Sequence, residues 1–202
     1  MEERLTEIFE KANEKFINDD LELLLSNVSE RTLCGALMLH LNILVQNSEF
    51  ADYKVDVEYN RNKNGKVKTS LKTIRGPQDI VVKINCDLIV HSRGNNIYQD
   101  NLIAIEMKKS NRKQEQKESD RYRLIALTKE SYDDIWSFDG KTFPEHVCRY
   151  ALGIYYEVNY KAQLINIEYY NKGYKFAEKE ISFKSGGHTC TNFSQDQLWA
   201  QT

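Results

Sequence analysis

Two runs decide how this chain is read: Cys86-Asp87-Leu88-Ile89-Val90-His91 and, past a turn at Arg93-Gly94-Asn95-Asn96, Leu102-Ile103-Ala104-Ile105-Glu106-Met107-Lys108. Both are rich in aliphatic and β-branched residues, the pattern of well-buried strands. Side chains alternate across a strand, so Ile103, Ile105 and Met107 share one face and Ala104, Glu106 and Lys108 the other. A tight connection through Gly94-Asn95-Asn96 lets the two strands pair and brings Asp87 close to Glu106. Charges inside an apolar sheet are costly unless they pair or bind a metal. These acids and this lysine therefore stand where a purely structural core would not place them.

Outward from the centre, the periodicity divides into helices and strands. Leu5, Ile8, Phe9, Ala12 and Phe16 recur at helical spacing and predict an amphipathic helix over about residues 2–18. A second helix is expected over 30–46 behind the capping candidates Ser26-Asn27-Val28-Ser29, with Leu33, Leu37, Leu41 and Leu44 as its stripe. Glu30 falls on that stripe and so faces the sheet.

Val55, Val57 and Tyr59 alternate as in a strand, and Asn62-Lys63-Asn64-Gly65 is a turn leading to a returning strand over 67–74. A basic helix capped by Ser110 or Asn111 extends to about Lys129, and residues 130–147 carry no assignable pattern. Segments 150–158 and 163–170 predict a closing antiparallel pair, and from Ser185 onward a loosely held tail. The order of elements gives an α/β protein, a mixed β-sheet flanked by helices, as a single domain over residues 1–202.

Composition narrows the function classes. The formal charge of the 202 residues is -2, which argues against coating nucleic acid by bulk attraction. No apolar run reaches membrane-span length and the charged start Met1-Glu2-Glu3-Arg4 is not a signal peptide, so a cytoplasmic protein with no membrane partner is expected. Cys34, Cys86, Cys148 and Cys190 are scattered without CxxC spacing, consistent with reduced thiols. His146-Val147-Cys148 and His188-Thr189-Cys190 have the residue types for zinc but not a common structural-zinc spacing.

Converging carboxylates with a lysine make a hard-oxygen site suited to Mg2+ or Mn2+. The pattern Asp87…Glu106-Met107-Lys108, with eighteen residues between the two acids, resembles the split D…ExK motif of the PD-(D/E)xK, or restriction-endonuclease-like, nuclease superfamily. Glu30-Arg31-Thr32-Leu33 and Glu58-Tyr59-Asn60-Arg61 also resemble segments of a group of uncharacterised bacterial proteins with that core. The likeness touches residues 29–128 and the strand around 152–155, and places a nuclease-like core over 29–170.

The resemblance implies a restriction-endonuclease-like fold, metal binding by Asp87 and Glu106, catalysis by Lys108, and Glu30 as a further catalytic and metal-binding acid. It departs from the motif at Cys86, where a proline commonly precedes the aspartate. Pro77-Gln78-Asp79 offers Asp79 as a competing ligand, but Asp87 is preferred because its run leads directly into the ExK strand.

The function expected from that resemblance is metal-dependent phosphodiester hydrolysis, with DNA the expected substrate of an endonuclease. The alternatives are an inactive nuclease-like fold serving as a nucleic-acid or protein binding module, or a phosphodiesterase acting on RNA or nucleotides. Lys109, Arg112 and Lys113 after the motif, with Arg61 and Lys66 on the proposed hairpin, are candidates to grip a nucleic-acid backbone. Acids interleave with these basic residues, so a solvated surface explains them about as well. Many members of the superfamily act as dimers, and the sequence leaves a homodimer open.

Overall fold

The computed structural model describes residues 1–58, 69–73, 79–83, 86–96, 98–130, 135–137, 149–184 and 192–195; for 69–73, 79–83, 135–137 and 192–195 it describes the backbone alone. Four helices are described, α1 (Glu2–Asp19), α2 (Leu21–Leu25), α3 (Glu30–Gln46) and α4 (Gln114–Thr128). The strands are β1 (Lys54–Val57), β2 (Thr69–Thr73), β3 (Asp79–Lys83), β4 (Leu88–His91), β5 (Asn101–Lys109), β6 (Ile135–Ser137), β7 (Leu152–Asn159), β8 (Leu164–Asn171), β9 (Tyr174–Ser182) and β10 (Asn192–Gln195). They form a seven-stranded mixed sheet in the order β1-β4-β5-β7-β8-β9-β10 and a three-stranded sheet β3-β2-β6. This is an α/β protein with helices flanking a mixed sheet.

The alternation in β5 sorts the two faces. Ile103, Ile105 and Met107 join Leu5, Phe9, Phe16, Leu33, Leu37 and Leu41 in one core beneath α1 and α3. Ala104 instead packs with Ile89, Tyr155, Leu124 and Leu127 under α4. Helix α3 starts where expected because the Ser29 hydroxyl accepts from the Thr32 amide at 3.1 Å, satisfying one of the free amides of the first turn.

β4 and β5 pair antiparallel with Leu88 opposite Ile105. β7 runs parallel to β5 in a register that opposes Glu106 to Tyr155. Helix α4 lies in the connection between those parallel strands, as a parallel pair requires a crossover.

Several expectations need correction. Helix α4 begins at Gln114 with Lys113 as its N-cap, not at Ser110 or Asn111. The Ser110 amide still bonds Val158 O at 2.9 Å and Arg112 N turns back onto Lys109 O, so strand pairing with β7 persists where a helix was expected to begin. The strand over 69–73 does not return against β1; it pairs with β3 and β6 in the smaller sheet.

β9, antiparallel to β8, is not among the strands expected above. Its turn has Lys172 at φ 52° and Gly173 at φ 83°, the paired left-handed conformation of a tight hairpin. Asn192–Gln195, in the expected loose tail, is paired with β9. The turn at 62–65 and the His146/Cys148 and His188/Cys190 pairs lie outside the described residues. Among the described residues, no helix is long and apolar enough to cross a membrane.

Gly153 sets how closely α4 approaches the sheet. A Cβ there would stand 2.9 Å from Thr128 Cγ2 and 3.1 Å from Tyr170 Cβ, both in packed surroundings. Gly153→Ala is expected to destabilise the fold by roughly 1–3 kcal/mol through overpacking. Urea unfolding measures this, and an unchanged midpoint would mean that α4 can shift without cost.

Candidate active site

Glu106 is the most confined of the predicted residues. It lies in the middle of β5, is 0% exposed, and faces α4. Arg123 of α4 donates from NH1 to Glu106 Oε1 at 2.5 Å. Glu106 Oε2 has no hydrogen-bond partner, although the weakly donating Cys86 thiol interacts with the same carboxylate. Burial pushes the Glu106 carboxyl up from its ordinary 4.5 to about 8; Asp87 and Asp120 add to the rise and Arg123 opposes it.

Asp87 sits just before β4, where the β4–β5 register continues to Glu106. Its Oδ2 accepts the Met107 amide at 2.8 Å, which fixes the side chain across the strand pair. Burial raises its pKa, against the pull of Lys108 and the Met107 amide.

Lys108 lies 3.9 Å from Asp87 Oδ2 and 3.0 Å from Asp120 Oδ2. Burial works against its charge, but Asp87 and Asp120 outweigh it and hold the ammonium above its ordinary value. Lys108 is therefore a cation at neutral pH and not a base.

Glu30 reaches the same place from α3. Its Oε1 accepts the Lys109 amide at 3.0 Å, and Arg112 binds both oxygens at 2.9 and 3.0 Å. Burial opposes ionisation, but Arg112, the Lys109 amide and Lys108 keep the carboxyl below its usual value. The macrodipole of α3 favours an acid in its first turn as well.

Asp79, the competing aspartate, is the first residue of β3 and belongs to the other sheet. The structure thus brings Asp87, Glu106, Lys108 and Glu30 together around the end of β5. It also adds two residues that the sequence reading did not single out for the site, Asp120 and Arg123. Three residues apart on α4, they take the same helix face at 3.3 Å from each other. Leu124 and Leu127 on that flank were the available signal that 120 and 123 point inward.

A cleft of about 450 Å³ opens beside these groups, with Lys108, Arg112, Gln116, Ser119, Asp120 and Arg123 along its walls. The basic residues of α4 do not form one free stripe. Lys117 bonds Glu157, Arg121 grips Glu168 and Arg123 bonds Glu106. Lys109 bonds Asn27 and lies over the Tyr160 ring, while Lys113 is exposed. Arg61 and Lys66 lie outside the described residues.

A divalent ion fits the donor chemistry here. Asp87 and Glu106 offer hard oxygens, and Glu106 keeps a buried oxygen without a hydrogen bond. Among the described residues, no group of three or more His, Cys, Asp or Glu side chains is placed to hold a metal ion, and Arg123 stands against Glu106. Compared with models of known protein families, with curated proteins and with solved structures, the chain matches none.

The raised Glu106 pKa has a sign that can be checked. Between pH 4.5 and about 8 the folded protein keeps a proton that the unfolded chain has released. The stability from this group is complete below that window and is lost as pH rises through it. Urea unfolding from pH 5 to 9 is expected to show wild type losing stability relative to Glu106→Gln; a constant difference would mean an ordinary carboxyl.

Proposed function

We propose that the chain is a metal-dependent phosphodiesterase of the PD-(D/E)xK kind with a restriction-endonuclease-like core, acting as a DNA endonuclease. The observation that carries the reading is the fully buried Glu106, cross-strand from Asp87, with Lys108 two residues on between Asp87 and the cleft-lining Asp120. A core that needed only packing would hold apolar residues there. Asp87 and Glu106 would hold Mg2+ or Mn2+, and Glu30 is a further carboxylate at the cleft. When bound, the ion supplies Lewis acidity and lowers the pKa of water.

The chain's own residues account for the rest. Lys108, kept charged by Asp87 and Asp120, stabilises negative charge growing on the scissile phosphate. Asp120 fixes the position of that ammonium at 3.0 Å. Arg112 and Lys113 at the start of α4 offer positive charge to a polynucleotide backbone. Water adds to phosphorus, the bridging P–O bond breaks, and the products are a phosphomonoester and a hydroxyl.

Incubation of supercoiled DNA with Mn2+ is expected to give nicks that fall at least about a hundredfold in Glu106→Ala and Lys108→Ala. Equal nicking by those variants would falsify the assignment, and cleavage of RNA or a cyclic nucleotide in preference to DNA would redirect the substrate.

One observation favours a second reading, an inactive nuclease-like binding module. The Arg123 guanidinium already supplies Glu106 with a countercharge. If that pairing is permanent, calorimetric titration with Mn2+ gives no heat of binding while DNA still shifts in gels. A saturable Mn2+ isotherm removes this reading.

A further inference from the structure

Three arginines around α4 bind glutamates, and they do so in two different ways. Arg112 meets Glu30 fork to fork, Nε to Oε1 at 2.9 Å and NH2 to Oε2 at 3.0 Å. Arg121 meets Glu168 with Nε bonded to both oxygens and NH2 to Oε1, all within 3.1 Å. These are the multiply bonded pairs that give arginine–carboxylate contacts their strength.

Arg123 touches Glu106 through NH1 alone. Its Nε is buried with no acceptor, and Glu106 Oε2 is buried with no hydrogen-bond partner. A fork geometry would satisfy both atoms, so the pair leaves unmade the bonds that would lock it.

We propose that Arg123 is a displaceable stand-in for the divalent cation, neutralising Glu106 in the ion-free protein and moving into the cleft when an ion takes the carboxylate. The inference rests on the nuclease reading above and adds a residue to it. The physical need is plain: an ionised carboxylate so fully buried is costly without a countercharge, and in the ion-free site Arg123 is the cation that stands against it. Arg123 is placed for both positions. Its NH1 already lies 3.3 Å from Asp120 Oδ1, an anchor that does not involve Glu106. It also lines the cleft beside Lys108 and Arg112, where a phosphodiester would meet it. A guanidinium there gives planar, charge-assisted donation to phosphate oxygens.

Competition for one carboxylate lowers the apparent ion affinity by the fraction of protein in which Arg123 has already moved away. Arg123→Gln is therefore expected to bind Mn2+ roughly tenfold or more tightly than wild type by calorimetry. In its ion-free form it should also melt at a lower temperature, and Mn2+ should raise that temperature further than in wild type. DNA nicking at saturating Mn2+ should nevertheless fall.

Arg123→Lys keeps the charge on a shorter, more hydrated group, and its Mn2+ affinity should lie between the other two; if Arg123→Gln does not fold, this comparison carries the test. Equal Mn2+ affinity in wild type and both variants overturns the stand-in role and leaves the nuclease reading intact. Absence of Mn2+ binding in all three overturns both. Mn2+ binding by Arg123→Gln but not by wild type overturns the displaceable role, because the guanidinium then does not yield to the ion.

Discussion

A glutamate at the fully buried centre of β5 constrains everything around it. Ionised and unpaired, it would cost several kcal/mol in that setting. The surroundings reduce this in two ways. Arg123 approaches from α4, and burial raises the carboxyl pKa so that a proton can take the place of a countercharge. On the proposed reading, a divalent ion would neutralise Glu106 and Asp87 together.

The second shaping influence is the geometry of the central strands. Antiparallel pairing of β4 with β5 carries Asp87 toward Glu106, and parallel pairing of β5 with β7 requires a crossover that places α4 over them. From that helix come both Asp120 and Arg123. Glu30 arrives separately, through the capped first turn of α3, and is held by the backbone amide that follows Lys108. Three elements distant in sequence thus meet at the end of one strand.

Much of this was legible in the sequence. Alternation in 102–108 correctly separated Glu106 and Lys108 from Ile103, Ile105 and Met107, and helical spacing correctly turned Glu30 toward the sheet. Asp120 and Arg123 were harder to find because α4 is charged on all sides. Its inward cations are matched by Glu157, Glu168 and Glu106 from strands far along the chain, and no local pattern shows that pairing. The same charges make the helix look like a stripe for nucleic acid, whereas Arg112, Lys117, Arg121 and Arg123 are all paired with glutamates within the protein. The start of α4 was misjudged because Ser110 and Asn111 are good caps locally, whereas the ladder to β7 holds that backbone extended through Lys109. β9 is hard to read because Lys175, Glu178, Lys179 and Glu180 interrupt it on both faces, with only Ala177 and Ile181 buried to mark the inward side.

The bare backbone at Gly153 has a wider consequence. With no side chain between them, α4 and β7 are in direct contact, and the helix is clamped along Lys117, Leu124, Leu127 and Thr128. Its opposite flank, with Glu115, Gln116 and Ser119 exposed at the cleft, takes no part in that clamp. One helix is thereby split lengthwise into an anchored half and a free half. Descendants of this sequence can change what the cleft admits by altering the free half, while the spacing of the buried charges beneath it is left as it was.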